Sequence, residues 1–313
     1  MNKKRAIIVI SLVFLLLMNL IFVYLYLGLN KQNQMCKENR NFKLLSPIIA
    51  WEEVNQFMEK QNNLRVSYSD MKPLVFEILN GSRGEYGVYF EDMTTGAWVG
   101  INEKGNFMPV SLVKLPLLVS VLKKVERGEL ALEQKVIIQK EFLDSEFGTL
   151  YKKGEGYSTS IKELLTYLVE ESDNTAFHTL LAVSSIEEFE VARQAMGLPI
   201  LNDPGQITPK EYANMLRSLY FSTYLRRSFS EVALSLMIST NFNSELPAGV
   251  PNTIKVAHKV GINIPHGYYH DCGIIYDDYP YILCVMSKNS TQEEANRIIS
   301  EISKIVYNYK HKV

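Results

Sequence analysis

The sequence lacks several things, and each absence removes a class of chemistry. Three cysteines, at positions 36, 272 and 284, are too few to build a disulfide scaffold. Cys272 and Cys284 face each other across an expected hairpin, but a bridge demands strict geometry and is left open. Cys36 lacks the small residues that precede a lipid-modified cysteine. Charge of one sign is also missing: the net charge is −1, so no global field draws nucleic acid or an acidic surface. There is no internal repeat and no low-complexity run. Of five histidines only His266 and His270 are closely spaced, in a strand-like stretch, so no metal-ligand cluster is formed. No Gly-x-Ser-x-Gly elbow and no phosphate-cradling glycine loop occur. No metal, no cofactor and no nucleic-acid partner are expected.

A long uncharged run is present. Residues 6–29, AIIVISLVFLLLMNLIFVYLYLGL, are interrupted only by Ser11, Asn19 and Gly28. A membrane-spanning helix needs about 20 apolar residues. No small-x-small cleavage site follows, so an uncleaved anchor is expected. Residues 1–5, with Lys3, Lys4 and Arg5, read as a cytoplasmic tail, although Lys31, Lys37, Arg40 and Lys43 weaken the charge asymmetry. Residues 30–68 are polar and read as a stalk, partly helical around 49–60. Residues 69–313 read as the folded domain.

Within that domain a short helix is expected over 70–80, ending at Asn80-Gly81. YGVYFED and AWVGIN read as a hairpin joined by MTTG. The helix at 111–125 is apolar almost all round and should be buried at the centre. From 130 to 250 the pattern is helical, near 161–171, 174–183, 186–195, 209–219 and 229–238. TIKVAHKVG, GYYHDCGIIY and YILCVMS read as late strands. A helix over 292–309 closes the chain, with Thr291 and Glu294 as its capping box. Strands early and late with helices between imply an α/β (α+β) fold. One antiparallel sheet is built from both chain ends and flanked by terminal helices, with an all-α lobe inserted over about 105–250.

Ser-x-x-Lys occurs three times, at Ser69–Lys72, Ser111–Lys114 and Ser120–Lys123. The first fits a helix start with a surface lysine. The third lies inside a helix with no room for substrate. Ser111 stands at the front of the buried helix, where unpaired N–H groups favour developing negative charge. Lys114 follows one turn on, on the same face. A serine hydroxyl needs a base to become a nucleophile. A lysine serves only when neutral, which burial and a second cation both promote. Sixty residues on, Ser172-Asp173-Asn174 falls on a tight connection between two helical patterns, and Lys259-Val260-Gly261 lies in a late strand.

This ordered set of Ser-x-x-Lys, Ser-Asp-Asn and Lys-x-Gly, in those contexts, resembles the penicillin-recognising serine acyl-transferases, and among them the class A β-lactamases. The likeness runs from about 70 to 310 and takes in YGVYFEDMTTGAWVGIN, ELLTYLVEESDNTA and HDCGIIY. It implies the same two-lobed fold. It implies Ser111, Lys114 and Ser172 as catalytic residues, with Ser172 relaying a proton to the leaving nitrogen. Asn174, Lys259, Gly261 and Ile262 would bind substrate. Lys259 would attract a carboxylate, and Gly261 would admit substrate backbone at the strand edge. The Ile262 and Ser111 N–H groups would form an oxyanion hole. Asp173 would brace its loop.

Two departures stand out. Val260 replaces the usual Thr, and Ile262 stands where a small or hydroxylated residue is common. Each missing hydrogen bond to a charged group costs about 1.5–3 kcal/mol. The family string Glu-Pro-x-Leu-Asn finds its nearest counterpart in Leu198-Pro199-Ile200-Leu201-Asn202, so Leu198 stands where the deacylating glutamate would be. Asp203, Glu188 and Glu190 are the nearby substitutes. The implied activity is a serine acyl-hydrolase that forms an acyl-enzyme with β-lactams and releases it slowly. The alternatives are a D-alanyl-D-alanine carboxypeptidase or transpeptidase on peptidoglycan peptides, and a non-catalytic penicillin-binding sensor or scaffold. The expected form is a monomer, anchored by one span in the cell membrane with the domain outside the cytoplasm.

Overall fold

Apolar residues in 85–92 and in four later segments build strands, and a computed structural model joins them into one sheet. It describes residues 17–24, 26, 42–46, 67–200 and 205–311. The chain divides into two units, 1–61 and 62–313. In the first, residues 17–24 and 26 are helical with exposed side chains. The rest of the span expected over 6–29, and nearly all of the stalk expected over 30–68 with its helix at 49–60, lie outside the described residues. Among the described residues no helix is long and apolar enough to cross a membrane.

The second unit begins with helix α1 (Met71–Leu79) and strands β1 (Glu85–Asp92) and β2 (Trp98–Ile101). Helix α2 (Lys114–Glu126) follows a 3-10 turn over Val110–Val113. Next come β3 (Lys135–Ile137), β4 (Ser158–Ser160), α3 (Ile161–Glu170), α4 (Asn174–Ser184), α5 (Ile186–Ala195), α6 (Pro209–Tyr220) and α7 (Arg227–Ile238). The chain returns through β5 (Lys255–Asn263), β6 (Tyr268–Tyr276) and β7 (Tyr281–Lys288), and ends in α8 (Gln292–Lys310). The main sheet has the order β2-β1-β7-β6-β5, antiparallel throughout. Its two halves therefore come from opposite ends of the domain sequence, as the order of elements implied.

On one face of this sheet, α8 presents Ile298, Ile299, Ile302 and Val306 at helical spacing. They pack with Met71 and Val75 of α1 against Val88, Phe90, Leu283 and Val285. The helical segments occupy the insertion between β2 and β5. At its centre lies α2, buried without interruption from Lys114 to Leu122. The apolar circumference read from sequence explains that position, but it leaves one cation, Lys114, inside protein.

Three local readings are corrected, and one left open is settled. The two-stranded sheet β3–β4 lies in a stretch read as helical; three residues per strand is too short for alternation to show. Asp70, not Ser69, stands at the N-cap of α1. The capping box at Thr291 closes on one side only. Glu294 N–H donates to Thr291, but the Glu294 carboxylate accepts from Ser290 Oγ and the Arg83 N–H instead. A closed box is found at Thr208 and Glu211 of α6. Cys272 and Cys284 lie directly opposite in the β6–β7 register, and the bridge left open by the sequence is formed.

Candidate active site

Three separate motifs meet at the Ser172 hydroxyl. Lys114 Nζ lies 3.2 Å from Ser111 Oγ and 3.2 Å from Ser172 Oγ. It donates to Asn174 Oδ1 at 2.6 Å and to the Ser172 carbonyl. From the strand side, Lys259 Nζ donates to Ser172 Oγ at 2.9 Å and to Val260 O at 3.1 Å. Ser172 thus sits between two amines.

Burial decides the charge state of both. Lys114 is 2% exposed and Lys259 1%. Desolvation pushes Lys114 down to about 8, against the opposite pull of Asp173, Asp144 and Glu146. Lys259 is driven well below its ordinary value, first by desolvation and then by the nearby Lys114 charge. The mutual repulsion expected to fall on Lys114 therefore falls on Lys259, which is the more deeply enclosed.

Backbone geometry aims the two serines. Val110, just before Ser111, has φ 50°, and Ser172 has φ 55°. A non-glycine residue in this region costs about 1–3 kcal/mol and persists where the surroundings impose it. The surroundings are visible here. The Phe107–Ile207 bridge pins the approach to Ser111 with two backbone hydrogen bonds of 2.9 Å. The buried His270 ring holds Met108 O at Nε2, 2.8 Å away, and accepts from the Ser287 N–H at Nδ1. Desolvation lowers His270 to about 4, so it is neutral and serves as a brace. Tyr212 donates to Leu112 O from the far side at 3.3 Å.

Asp173 caps α4 through the Ala176 N–H and also accepts from the Leu150 N–H, each at 2.8 Å. That second bond pulls the 144–150 segment onto the motif. Gly148 is required there, because a Cβ would meet the Asp173 carboxylate at 2.0 Å. Gly261 meets a similar demand from inside. A Cβ on it would lie 3.2 Å from Pro109 O and from Leu112, so its absence lets β5 approach the Ser111 turn. The sequence reading assigned that space to substrate alone.

The resulting cleft has a volume of about 290 Å3, and Ser111, Lys114, Asn174 and Ile262 all line it. β5 is an edge strand paired only with β6, and its Ile262 and Asn263 form one wall. The opposite wall carries Asp144, Glu146, Phe147 and His178, none of them singled out in the sequence. Asp144 arrives through its N–H to Thr175 Oγ1 at 3.0 Å, next to the Ser-Asp-Asn motif. His178 carried a legible signal: it is four residues after Asn174 on the same helix face. Leu198 is buried at 4% exposure. Nearby, Arg193 holds Pro199 O at 2.7 Å. Asp203 lies outside the described residues.

The other two Ser-x-x-Lys pairs do not share this arrangement. Ser120 bonds Ser184 within the core, and Lys123 is engaged by Glu126 and Tyr224 O. Ser69 is exposed and bonds its local neighbours. Among the described residues no group of three or more His, Cys, Asp or Glu could hold a metal ion.

Comparison with known proteins places this geometry in context. Residues 70–310 match the model of the beta-lactamase enzyme family. Beta-lactamase VEB-1 of Pseudomonas aeruginosa is 24% identical over 261 residues, covering 74% of this chain and 87% of that protein. Among solved structures, PBP-A superimposes with a TM-score of 0.73 at 20% identity, over 80% of this chain and 99% of that one. A leucine-to-glutamate mutant of PBP-A, in acyl-enzyme complex with penicillin G, also gives 0.73 at 21% identity, over 80% and 100%.

Proposed function

The chain belongs to the beta-lactamase enzyme family, and from that premise we propose that it is a membrane-anchored, extracytoplasmic serine hydrolase that forms an ester with β-lactams at Ser111 and releases it slowly. The observation that carries this reading is the convergence of Ser111 Oγ, Lys114 Nζ, Ser172 Oγ and Lys259 Nζ from three distant stretches.

The steps follow from that geometry. Neutral Lys114 takes the Ser111 proton as Oγ attacks the lactam carbonyl. The oxyanion forms at the start of the α2 segment, between the Ser111 and Ile262 N–H groups. Ser172, bonded to both amines, delivers the proton to the leaving nitrogen. Asn174 holds Lys114 and offers its amide to the acyl chain. Lys259 contributes positive potential from behind Ser172, since its own amine is enclosed. Acylation should therefore rise with pH as Lys114 loses its proton near 8.

Release is the weak half. With Leu198 in place of a glutamate, water lacks the base the family supplies. The likeness to PBP-A, a leucine-to-glutamate mutant of which is an acyl-enzyme with penicillin G, supports formation of the ester. The buried Cys272–Cys284 bridge supports an oxidising compartment. The uncharged run at 6–29 supports the anchor. A second reading, a D-alanyl-D-alanine peptidase on cell-wall peptides, is favoured by the unpaired edge of β5, along which an extended peptide can add as a strand.

The test is incubation of the purified full-length chain with fluorescent penicillin, followed by peptide mapping. The label should fall on the peptide containing Ser111. A label on Ser69, Ser120 or Ser172 would refute the assignment, and no label would favour a non-catalytic scaffold.

A further inference from the structure

On the wall of the cleft facing β5, Asp144 and His178 form an acid–imidazole pair. His178 Nε2 is 3.5 Å from Asp144 Oδ2, and both side chains line the same cleft as Ser111. His178 is about half exposed, so its ring meets solvent as well as the cleft. The pair is anchored at both ends. Asp144 is fixed by its own N–H to Thr175 and by the Glu146 N–H to its Oδ1 at 2.8 Å. His178 rides on α4 one turn beyond Asn174, which holds Lys114. A polar chain thus runs from Lys114 through Asn174 to Asp144 and His178. Burial opposes charge on Asp144, but bonds from the Glu146 N–H, Asn174 and His178 keep its carboxyl below the ordinary value. It is a standing anion beside the ring. No glutamate base is available at Leu198, and the acylation steps use neither Asp144 nor His178.

We propose that the Asp144–His178 pair is the base that activates water for hydrolysis of the Ser111 ester. The inference rests on the acyl-enzyme reading of the site. Asp144 holds the ring by Nε2, which presents Nδ1 to a water in the cleft. The water oxygen bonds to the ester carbonyl carbon, and one of its protons passes to Nδ1. As the bond from carbon to Ser111 Oγ breaks, that proton returns to Oγ through solvent and the Lys114 amine. Serine and imidazole are regenerated, and the acid leaves. The charged groups around His178 are Asp144 and Glu146 on the facing segment and Lys114 across the cleft. The Asp144 carboxylate faces the imidazolium formed in this step.

The test separates release from formation. The full-length chain is acylated with penicillin G, free drug is removed, and loss of the adduct mass is timed. His178→Gln should form the adduct at the unmodified rate and release it about tenfold more slowly or worse. In His178→Ala, added imidazole should restore release. Unchanged release in His178→Gln, or no rescue of His178→Ala by imidazole, overturns the proposal while leaving the Ser111 reading intact. Absence of any adduct in the unmodified chain overturns both.

Discussion

The two walls of the cleft are built differently. Ser111, Lys114, Ser172 and Lys259 rest on the start of a helix buried from Lys114 to Leu122, a capped helix junction and a strand, and their hydrogen bonds are made within protein. The opposite wall is an exposed rim, with Asp144, Glu146 and His178 carried by a loop and an outward helix face. The first wall is held in one geometry at the cost of left-handed backbone at Val110 and Ser172. The second can change residue without disturbing the core. Formation of the ester therefore belongs to parts that tolerate little substitution, and its release to parts that tolerate more. A chain can keep the one and alter the other.

The sharpest way to break this contrast is Ser111→Ala. It removes one hydroxyl from a half-buried site, so labelling by penicillin should vanish with the melting temperature nearly unchanged. Lys114→Met, which conserves volume, should slow acylation by about 10²–10⁴-fold, the contribution of a positioned base; stopped-flow labelling measures it. Leu198→Glu tests the other half. If the new carboxylate reaches the cleft, release of the adduct should accelerate by a factor within the same range. If instead it stays where Leu198 lies, a buried charge should lower the melting temperature without changing release. The smallest effect on acylation is expected from Asp144→Asn. The Asp144 charge raises the pKa of Lys114, so its removal should move the rise of acylation with pH to lower values. An unmoved profile would mean that Asp144 does not act on the amine.

The sequence displayed the buried wall well, because each of its parts is a local pattern. A serine one turn from a lysine, a polar tripeptide between helices and a lysine–glycine strand can each be read within a few residues. The sheet order followed from strands at both ends of the domain. The exposed wall could not be read this way. Asp144 lies 30 residues before Asn174 and reaches the cleft only because Asp173 grips the Leu150 N–H and Gly148 makes room. His270, which appeared only as half of a failed metal pair, braces Met108 behind Ser111 through a contact 162 residues apart. The burial of Lys259 behind Ser172 depends on how β5 meets the insertion, which no strand pattern encodes. The short β3–β4 pair was missed for want of length alone.

Timed mass spectrometry of the full-length chain with penicillin G puts the contrast between the two walls to its most direct test. The expected course is one equivalent of adduct formed in a burst on the Ser111 peptide, followed by a slow steady return of free enzyme. Rapid steady-state hydrolysis without an accumulated adduct would contradict the account, because it would require a base far more efficient than the exposed Asp144–His178 pair.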